Sequence, residues 1–349
     1  MKKISFIIGS VPVGNGAPVT VQTMWKKPLG KNIDPVLKEI HELASCGCDI
    51  IRFSAPALED AAIIGAIAGR SPVPVVADIH FDYRIALKAI ESGVPKVRIN
   101  PGNIGSREKA EEVLRRASDA GTVIRVGING GSLPRNLRKM EDRAEAMLLA
   151  AEAEINLVEK IGFKEVVFSL KSSDIETCVK VNRLFFSRYP YPLHLGLTES
   201  GPLIPGTVKS TIALSRLLSE GIGDTIRISL SDDPLKEVIA GVELLKALGL
   251  RKAGVRIISC PRCGRSTFDT HAFLRRIEKE LQRSEKAAVI AVMGCVVNGP
   301  EEAKSADLGI TGSGNEIVIF RNGAIVFKGG MEDAYAEFMN QFQALPDSG

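Results

Sequence analysis

A (β/α)8 TIM barrel followed by a small α+β domain is the architecture that this 349-residue sequence predicts. Eight short Val/Ile-rich runs alternate with helical patterns between about residues 19 and 248, the number and span of a closed barrel rather than an open sheet. Polar residues recur two apart at the ends of these runs, which keeps them on one strand face. Past residue 250 the alternation stops, and cysteine and hairpin motifs take over. The expected division is therefore 1–250 for a substrate-binding barrel and 251–349 for an α+β domain built around its cysteines.

The elements follow in chain order. "MKKISFIIGSVPVG" sets two lysines before a short apolar run, but no small-residue cleavage motif follows, so it predicts a first strand or hairpin rather than a signal peptide. The barrel strands are "VTVQTM", "DIIRFSA", "VPVVADI", "KVRIN", "VIRVGIN", "EVVFSL", "PLHLGLT" and "TIRISL". Helical segments lie between them. "DPVLKEIHELASCG" offers Asp34 as a cap, Pro35 in the first turn and Gly47 as a stop. After "LGLRKAG" come a strand "VRIIS", a cysteine loop, a helix through "HAFLRRIEKELQR" and a buried strand "AAVIAVMG". Two strands, "EIVIFRNG" and "AIVFKGG", joined by an Asn-Gly turn, and a helix "EDAYAEFMNQFQAL" finish the domain. "NGGSL" and "TGSGN" are weak phosphate-loop signals, and the second reads as a hairpin turn.

Composition narrows the function classes. Apolar residues make up 45% and charged residues 25%, and no apolar run approaches the roughly 18 residues needed to cross a bilayer, so no membrane association is expected. Six cysteines without a regular framework point to reduced thiols and a cytoplasmic location. A net charge of +4, few Tyr and Trp, and no clustered basic helix argue against nucleic acid as a partner.

Barrel enzymes react where the strands end. There the sequence places Arg52, His80, Arg98, Asn100, Arg125, Asn129, Lys171, Thr198, Arg227 and Ser229, with Asp78 and Glu199 as the acidic members. Four arginines and a lysine converging inside a barrel repel one another unless an anion neutralises them, and so many cations suit a diphosphate. Glu199, a carboxylate among cations in "GLTESG", is the candidate proton donor. Lys171 keeps a Schiff-base aldolase open as a rival, since a strand-end amine can be unprotonated by neighbouring cations. Asp78 can orient His80 or an arginine, and a lone histidine is ordinarily a hydrogen-bonded core residue.

Cys46, Cys48 and Cys178 fall in or beside barrel helices and read as buried inert thiols. Cys260 and Cys263 form a CxxC knuckle, and Cys295 follows alone in "MGCVVNGPEEA". Three thiolates leave one position of a metal site to Glu301 or Glu302, just past the Asn-Gly-Pro turn. A hard carboxylate on a soft-ligand centre exchanges more readily than thiolate, so that position reads as an access point on an iron-sulfur cluster, with zinc as the alternative. A zinc-knuckle RNA-binding protein is the non-enzymatic rival.

Taken in order, "ADIHFDYRIAL", "KVRINPGNIG", "RVGINGGSL", "HLGLTESG", "IRISLS", "CPRCGR" and "MGCVVNGPEEA" closely resemble the hydroxymethylbutenyl diphosphate synthase family of the methylerythritol phosphate route to isoprenoids. The resemblance covers nearly the whole chain. It implies a barrel joined to a domain with a 4Fe-4S cluster on Cys260, Cys263, Cys295 and Glu302, and methylerythritol cyclodiphosphate as substrate. It also implies a two-electron ring opening with loss of a hydroxyl, Glu199 as acid, and substrate contacts from Arg52, His80, Arg98, Arg125, Asn129, Lys171, Thr198, Arg227 and Ser229. A ferredoxin or flavodoxin would bring the electrons. A last barrel helix running about 22 Å away from the reactive face, followed by a short linker, keeps a cluster from its own barrel mouth, so a homodimer with each cluster facing the partner's barrel is expected. Two stretches depart from the family pattern. "VQTMWKKPLG" replaces a Thr/Asn-rich loop, and "NGPEEA" replaces "NGPGEA", which makes Glu301 a competitor for the metal.

Overall fold

In the computed structural model the described residues are 3–100, 104, 106–295, 305–313 and 316–347. The chain divides into two compact units, Met1–Arg251 and Lys252–Gly349.

The first unit opens with an antiparallel hairpin, β1 (Phe6–Ile8) and β2 (Val11–Val13). Eight parallel strands follow: β3 (Thr20–Met24), β4 (Ile50–Ser54), β5 (Val75–Asp78), β6 (Lys96–Ile99), β7 (Val123–Asn129), β8 (Val166–Lys171), β9 (His194–Leu195) and β10 (Thr225–Ile226). Each pairs with its sequence neighbour and β10 pairs with β3. A bridge from Phe168 to Leu193 and a 2.9 Å hydrogen bond from the Phe168 amide to the Pro192 carbonyl join β8 to β9, closing the barrel.

Helices α1 (Asp34–Ser45), α2 (Leu58–Ala68), α3 (Tyr83–Glu91), α4 (Arg107–Ala120), α5 (Arg143–Ile161), α6 (Ile175–Arg188), α7 (Leu203–Leu218) and α8 (Pro234–Ala247) surround it. Several start on aspartates: Asp82, Asp142, Asp174 and Asp233 each accept a first-turn amide with their side chains. Outward-facing strand residues such as Val21, Phe53, Val97 and Leu195 join the main apolar core beneath these helices.

Inward-facing residues sort by height. Ile50, Val76, Val123 and Val167 form an apolar layer, which Ile8 and Val13 of the hairpin cover. The hairpin thus plugs the end where the strands begin. Because side chains alternate, every second residue above that layer also points inward, and in this sequence those residues are polar or glycine.

The second unit is a five-stranded sheet in the order β11 (Arg256–Ser259), β12 (Val289–Met293), β13 (Leu308–Ser313), β14 (Glu316–Arg321), β15 (Ala324–Gly329). The first three strands are parallel and the last pairs antiparallel. Helices α9 (Thr270–Arg283) and α10 (Met331–Gln343) lay Phe273, Ile277, Phe338 and Phe342 on one face, against Ile290, Ile310 and Ile319. Asn322 and Gly323 both have positive φ, 48° and 80°, which fits the two-residue hairpin turn expected at that point. The central strand β13 is absent from the elements expected from sequence. Its Gly309 and Gly312 give it poor strand propensity, and pairing with β12 and β14 on both sides supplies what propensity does not. Among the described residues no helix is long and apolar enough to cross a membrane.

Candidate active site

Alternation from the sealed end brings a cationic interior to the open end. Arg52 stands two residues above Ile50, Asp78 above Val76, Arg125 above Val123, and Ser169 then Lys171 above Val167. Lys96 and Arg98 flank outward Val97, His194 and Gly196 flank outward Leu195, and Thr225 and Arg227 flank outward Ile226. Arg52, Lys96, Arg98, Arg125 and Lys171 are buried, and the side chain of Arg227 is 12% exposed.

Two carboxylates answer these six cations. Asp78 Oδ1 accepts from Arg98 Nη1 at 3.0 Å, and Asp78 Oδ2 lies 3.6 Å from Arg52 Nε and 3.5 Å from His80 Nε2. Burial works against the Asp78 charge, but Arg52, the hydrogen bond from His80, Arg98 and Arg125 outweigh it and hold the carboxyl well below the usual carboxylate range. Gly127 makes this packing possible, since a Cβ there would lie 2.7 Å from Arg98 Nε.

Glu237, on α8, is the second carboxylate, and the sequence reading missed it. It accepts both arms of Arg227 at 3.0 and 3.1 Å, Thr23 Oγ1 at 2.8 Å, the Leu230 amide at 3.0 Å and Lys26 Nζ at 2.8 Å. Burial again opposes the charge, and Arg227 and Lys26 overcome it, so its carboxyl also sits below the ordinary value.

Among the described residues no carboxylate pairs with Lys96, Arg125 or Lys171, and the paired arginines keep unused donors. Arg125 Nε and Nη1, Arg98 Nε and Lys96 Nζ have no hydrogen-bond partner among the described residues. Burial, with Arg227 and Arg98 adding to it against Asp78, pulls the Arg52 guanidinium down to about 10. Burial, then Arg125 and Arg52, pushes the Lys96 amine well below its ordinary value. The interior is short of negative charge, which is the condition for binding a polyanion. A fully buried amine without a partner is a liability in the free protein. Lys96→Met, which keeps the length and removes the amine, is expected to raise unfolding free energy by about 1–3 kcal/mol in chemical denaturation. An unchanged or lower denaturation midpoint would show that the amine is satisfied.

At the mouth, Asn129, Thr198 and Glu199 share a cavity of about 550 Å³ with Ser172, Arg143 and Asp174, within the range of small-ligand sites. Glu199 is exposed and holds φ at 53°, a left-handed conformation uncommon outside glycine and of the kind that collects at functional sites. Asn100 borders a neighbouring cavity, also lined by Asn129, and Ser229 lies just past β10. His80 is not the core residue that a lone histidine ordinarily is. Its side chain is 48% exposed, at the rim, 3.5 Å from both Asp78 and Arg98. Lys96 and His194 also escaped the sequence reading. Lys96 has the same two-residue spacing from Arg98 that singled out the other pairs, whereas His194 carries no such signal. Cys46, Cys48 and Cys178 are buried, as expected, and burial drives the Cys48 thiol up to about 12.

In the second unit Cys260 follows β11 and Cys295 follows β12, ends of neighbouring parallel strands with Ser259 opposite Val292. The intervening backbone is pinned without using the thiols. The Cys260 amide donates to the Val292 carbonyl at 3.0 Å, Ser266 Oγ to the Gly294 carbonyl at 3.1 Å, and Thr311 Oγ1 to the Cys295 carbonyl at 3.1 Å. A Cβ on Gly294 would collide with Ser266 Oγ, so glycine there lets Ser266 close on the turn that leads to Cys295. All three thiols are free, and an amide hydrogen bond and the charge of Arg265 lower the Cys263 thiol toward thiolate. Free thiols at adjoining strand ends fit a soft, thiolate-bound centre. Among the described residues no three His, Cys, Asp or Glu side chains close on one point. Glu301 and Glu302 lie outside those residues.

These features define a two-unit barrel protein with an anion-seeking interior and a thiol-bearing second unit. The chain belongs to the GcpE family: the GcpE TIM-barrel domain matches residues 3–242, and the GcpE protein C-terminal domain matches residues 256–344. A relative from Treponema denticola is 47% identical over 341 residues, covering 91% of this chain and 88% of its own. One from Geobacter sulfurreducens is 45% identical, covering 92% and 91%. Both are named 4-hydroxy-3-methylbut-2-en-1-yl diphosphate synthase (flavodoxin). Among solved structures, Yersinia pestis dihydropteroate synthase (TM-score 0.50, 13% identity, 71% of this chain and all of that one) shares the barrel fold. So does the N-acetylneuraminic acid synthetase of Leptospira borgpetersenii (TM-score 0.51, 14% identity, 71% and 90%). Family membership sets aside the aldolase and RNA-binding rivals.

Proposed function

We propose that the chain is a 4-hydroxy-3-methylbut-2-en-1-yl diphosphate synthase. Its substrate is 2-C-methyl-D-erythritol 2,4-cyclodiphosphate, which takes two electrons and two protons, opens its ring and loses a hydroxyl as water. The observation that carries this reading is the surplus of buried cations over carboxylates at the open end of the barrel. A diphosphate supplies the missing charge.

Arg52, Arg98, Arg125, Arg227 and Lys171 clamp the diphosphate, with Asp78 and Glu237 holding three of the arginines in place. Asn100, Asn129, Thr198 and Ser229 offer hydrogen bonds at the mouth, and His80 closes the Asp78 side. Glu199, beside Thr198 in the same cavity, delivers the proton that lets the hydroxyl leave. Cys260, Cys263, Cys295 and Glu302 would hold a 4Fe-4S cluster, which when bound would supply the electrons. A flavodoxin, as in the relatives' names, or a ferredoxin would be the electron donor. The chain works as a homodimer in which each cluster faces the partner's barrel.

Turnover of the cyclodiphosphate by anaerobically purified protein with reduced flavodoxin tests the activity, and an iron and sulfide count tests the cofactor. The shared site has its own test. Cys295→Ser and Glu199→Ala chains, each inactive alone, are expected to recover activity when co-refolded or co-expressed. One class of pocket in the heterodimer is then intact, which limits recovery to about a quarter of wild type for random pairing. Heterodimers that form and stay inactive would exclude pairing across subunits.

A further inference from the structure

The amine of Lys171 is buried, and an imidazole stands within hydrogen-bond reach of it. His194 Nε2 lies 3.2 Å from Lys171 Nζ, and His194 Nδ1 lies 2.7 Å from Thr225 Oγ1. His194 and Thr225 are fully buried, and they sit opposite each other on β9 and β10. Gly196 leaves room for this arrangement: a Cβ there would stand 2.7 Å from Lys171 Nζ and 2.6 Å from the Arg227 carbonyl.

We propose that His194 is a positioning residue for Lys171, and that the buried chain Thr225–His194–Lys171 reverses its hydrogen-bond direction so that Lys171 takes up a proton when an anion fills the cradle. This rests on Lys171 being one of the anion-binding groups of the site proposed above.

The argument is one of donor and acceptor counting. An ammonium only donates, so beside a charged Lys171 the Nε2 atom must accept, and the ring proton sits on Nδ1 and donates to Thr225 Oγ1. A neutral amine has a lone pair. Nε2–H can then donate to it while Thr225 O–H donates to Nδ1. Each arrangement keeps both contacts of the imidazole, so Lys171 can change charge without losing His194 as its partner. A neutral imidazole is required in each, and burial, then Lys171, Arg125, Lys96 and Arg52, holds His194 well below its ordinary value.

The groups facing Lys171 set the direction of the change. Burial lowers its amine first, and Arg125 of β7, Arg227 beside β10 and Arg52 of β4 lower it further, against a small opposing effect of Cys178 on α6. An anion bound to those arginines cancels their repulsion and raises the amine again. Between the free and bound values binding draws a proton from solvent, so affinity falls as pH rises through that window.

Sulfate is a suitable probe, because its charge is constant from about pH 7 to about pH 9.5. Calorimetric titration of the full chain is expected to show sulfate affinity falling with pH, approaching about tenfold per unit at the steepest. Lys171→Met flattens that dependence and weakens binding at pH 7, while Lys96→Met leaves the slope in place. His194→Phe, which removes both ring nitrogens, flattens it as well, and His194→Gln, whose amide can accept or donate, restores part of it. Nitrogen-15 histidine spectra of the wild type should show the ring proton moving from Nε2 to Nδ1 as sulfate is added near pH 9. If His194→Phe does not fold, Thr225→Val carries the same test by removing only the distal partner. A pH-independent wild type, or a slope abolished by Lys96→Met rather than Lys171→Met, overturns the proposal. Relay variants that titrate like wild type overturn it alone. A Lys171→Met protein that binds sulfate at full strength removes Lys171 from the cradle and sinks the site reading with it.

Discussion

Cys295→Ser is expected to leave the chain folded and to remove its iron, from about four atoms per chain to less than one, with turnover lost entirely. The fold should survive because Cys295 lies past the end of β12 and is only partly buried. What holds that turn is the Thr311 hydroxyl on the Cys295 carbonyl and the Ser266 hydroxyl on the Gly294 carbonyl. Serine fits the same space but offers a hard hydroxyl that stays protonated near neutral pH, where the centre needs a thiolate. Anaerobic iron and sulfide analysis alongside far-ultraviolet circular dichroism checks both halves. A variant that keeps its iron would move the cluster off these cysteines, and one that unfolds would make Cys295 structural. The same assay separates the two glutamates: Glu301→Gln is expected to retain iron and Glu302→Gln to shed it during gel filtration. Iron loss from the Glu301 variant alone would exchange their roles.

How much of this was legible beforehand depended on the kind of pattern involved. The eight barrel strands could be read because most are β-branched runs alternating with helices, four of which start on aspartate caps, a local signal that the closed fold reinforces. The cradle could be read because a period of two puts Arg52, Asp78, Arg98, Arg125 and Lys171 on the face opposite the outward core residues. Strand β13 could not, since its glycines hide a strand that its neighbours impose. Glu237 could not either. It belongs to a helix, and only the three-dimensional passage of α8 behind β3 and β10 brings it to Arg227 and Thr23. Nor could His194 be picked out, because its role comes from partners on two other strands, Lys171 and Thr225.

Glu237→Ala should be the most destabilising single change in the barrel, costing about 3–5 kcal/mol. The side chain is wholly buried, so its loss strands Arg227 without its bidentate partner, leaves the Leu230 amide short of an acceptor, and leaves Thr23 Oγ1 only the Pro234 carbonyl at 3.4 Å. At about 2–4 °C per kcal/mol for a unit of this size, the melting temperature should fall by roughly 6–20 °C. Glu237→Gln, which keeps one acceptor oxygen, should lose less. The sign of the pH dependence follows from the lowered carboxyl of Glu237. Its stabilisation is complete above the ordinary glutamate value of about 4.3 and disappears as pH falls through the lower folded value, so wild type and Glu237→Ala should converge in acid. Removing Arg227 as well, in an Arg227→Met, Glu237→Ala double variant, should recover part of the loss, because the buried charge left behind costs more than the pair contributes. Sulfate binding by the single variant should weaken too, since Arg227 is then free to leave the cradle. A melting shift under about 1 °C would mean that Met24 and the surrounding packing hold Arg227 without the carboxylate, and the cradle would have to be rebuilt around Asp78 alone.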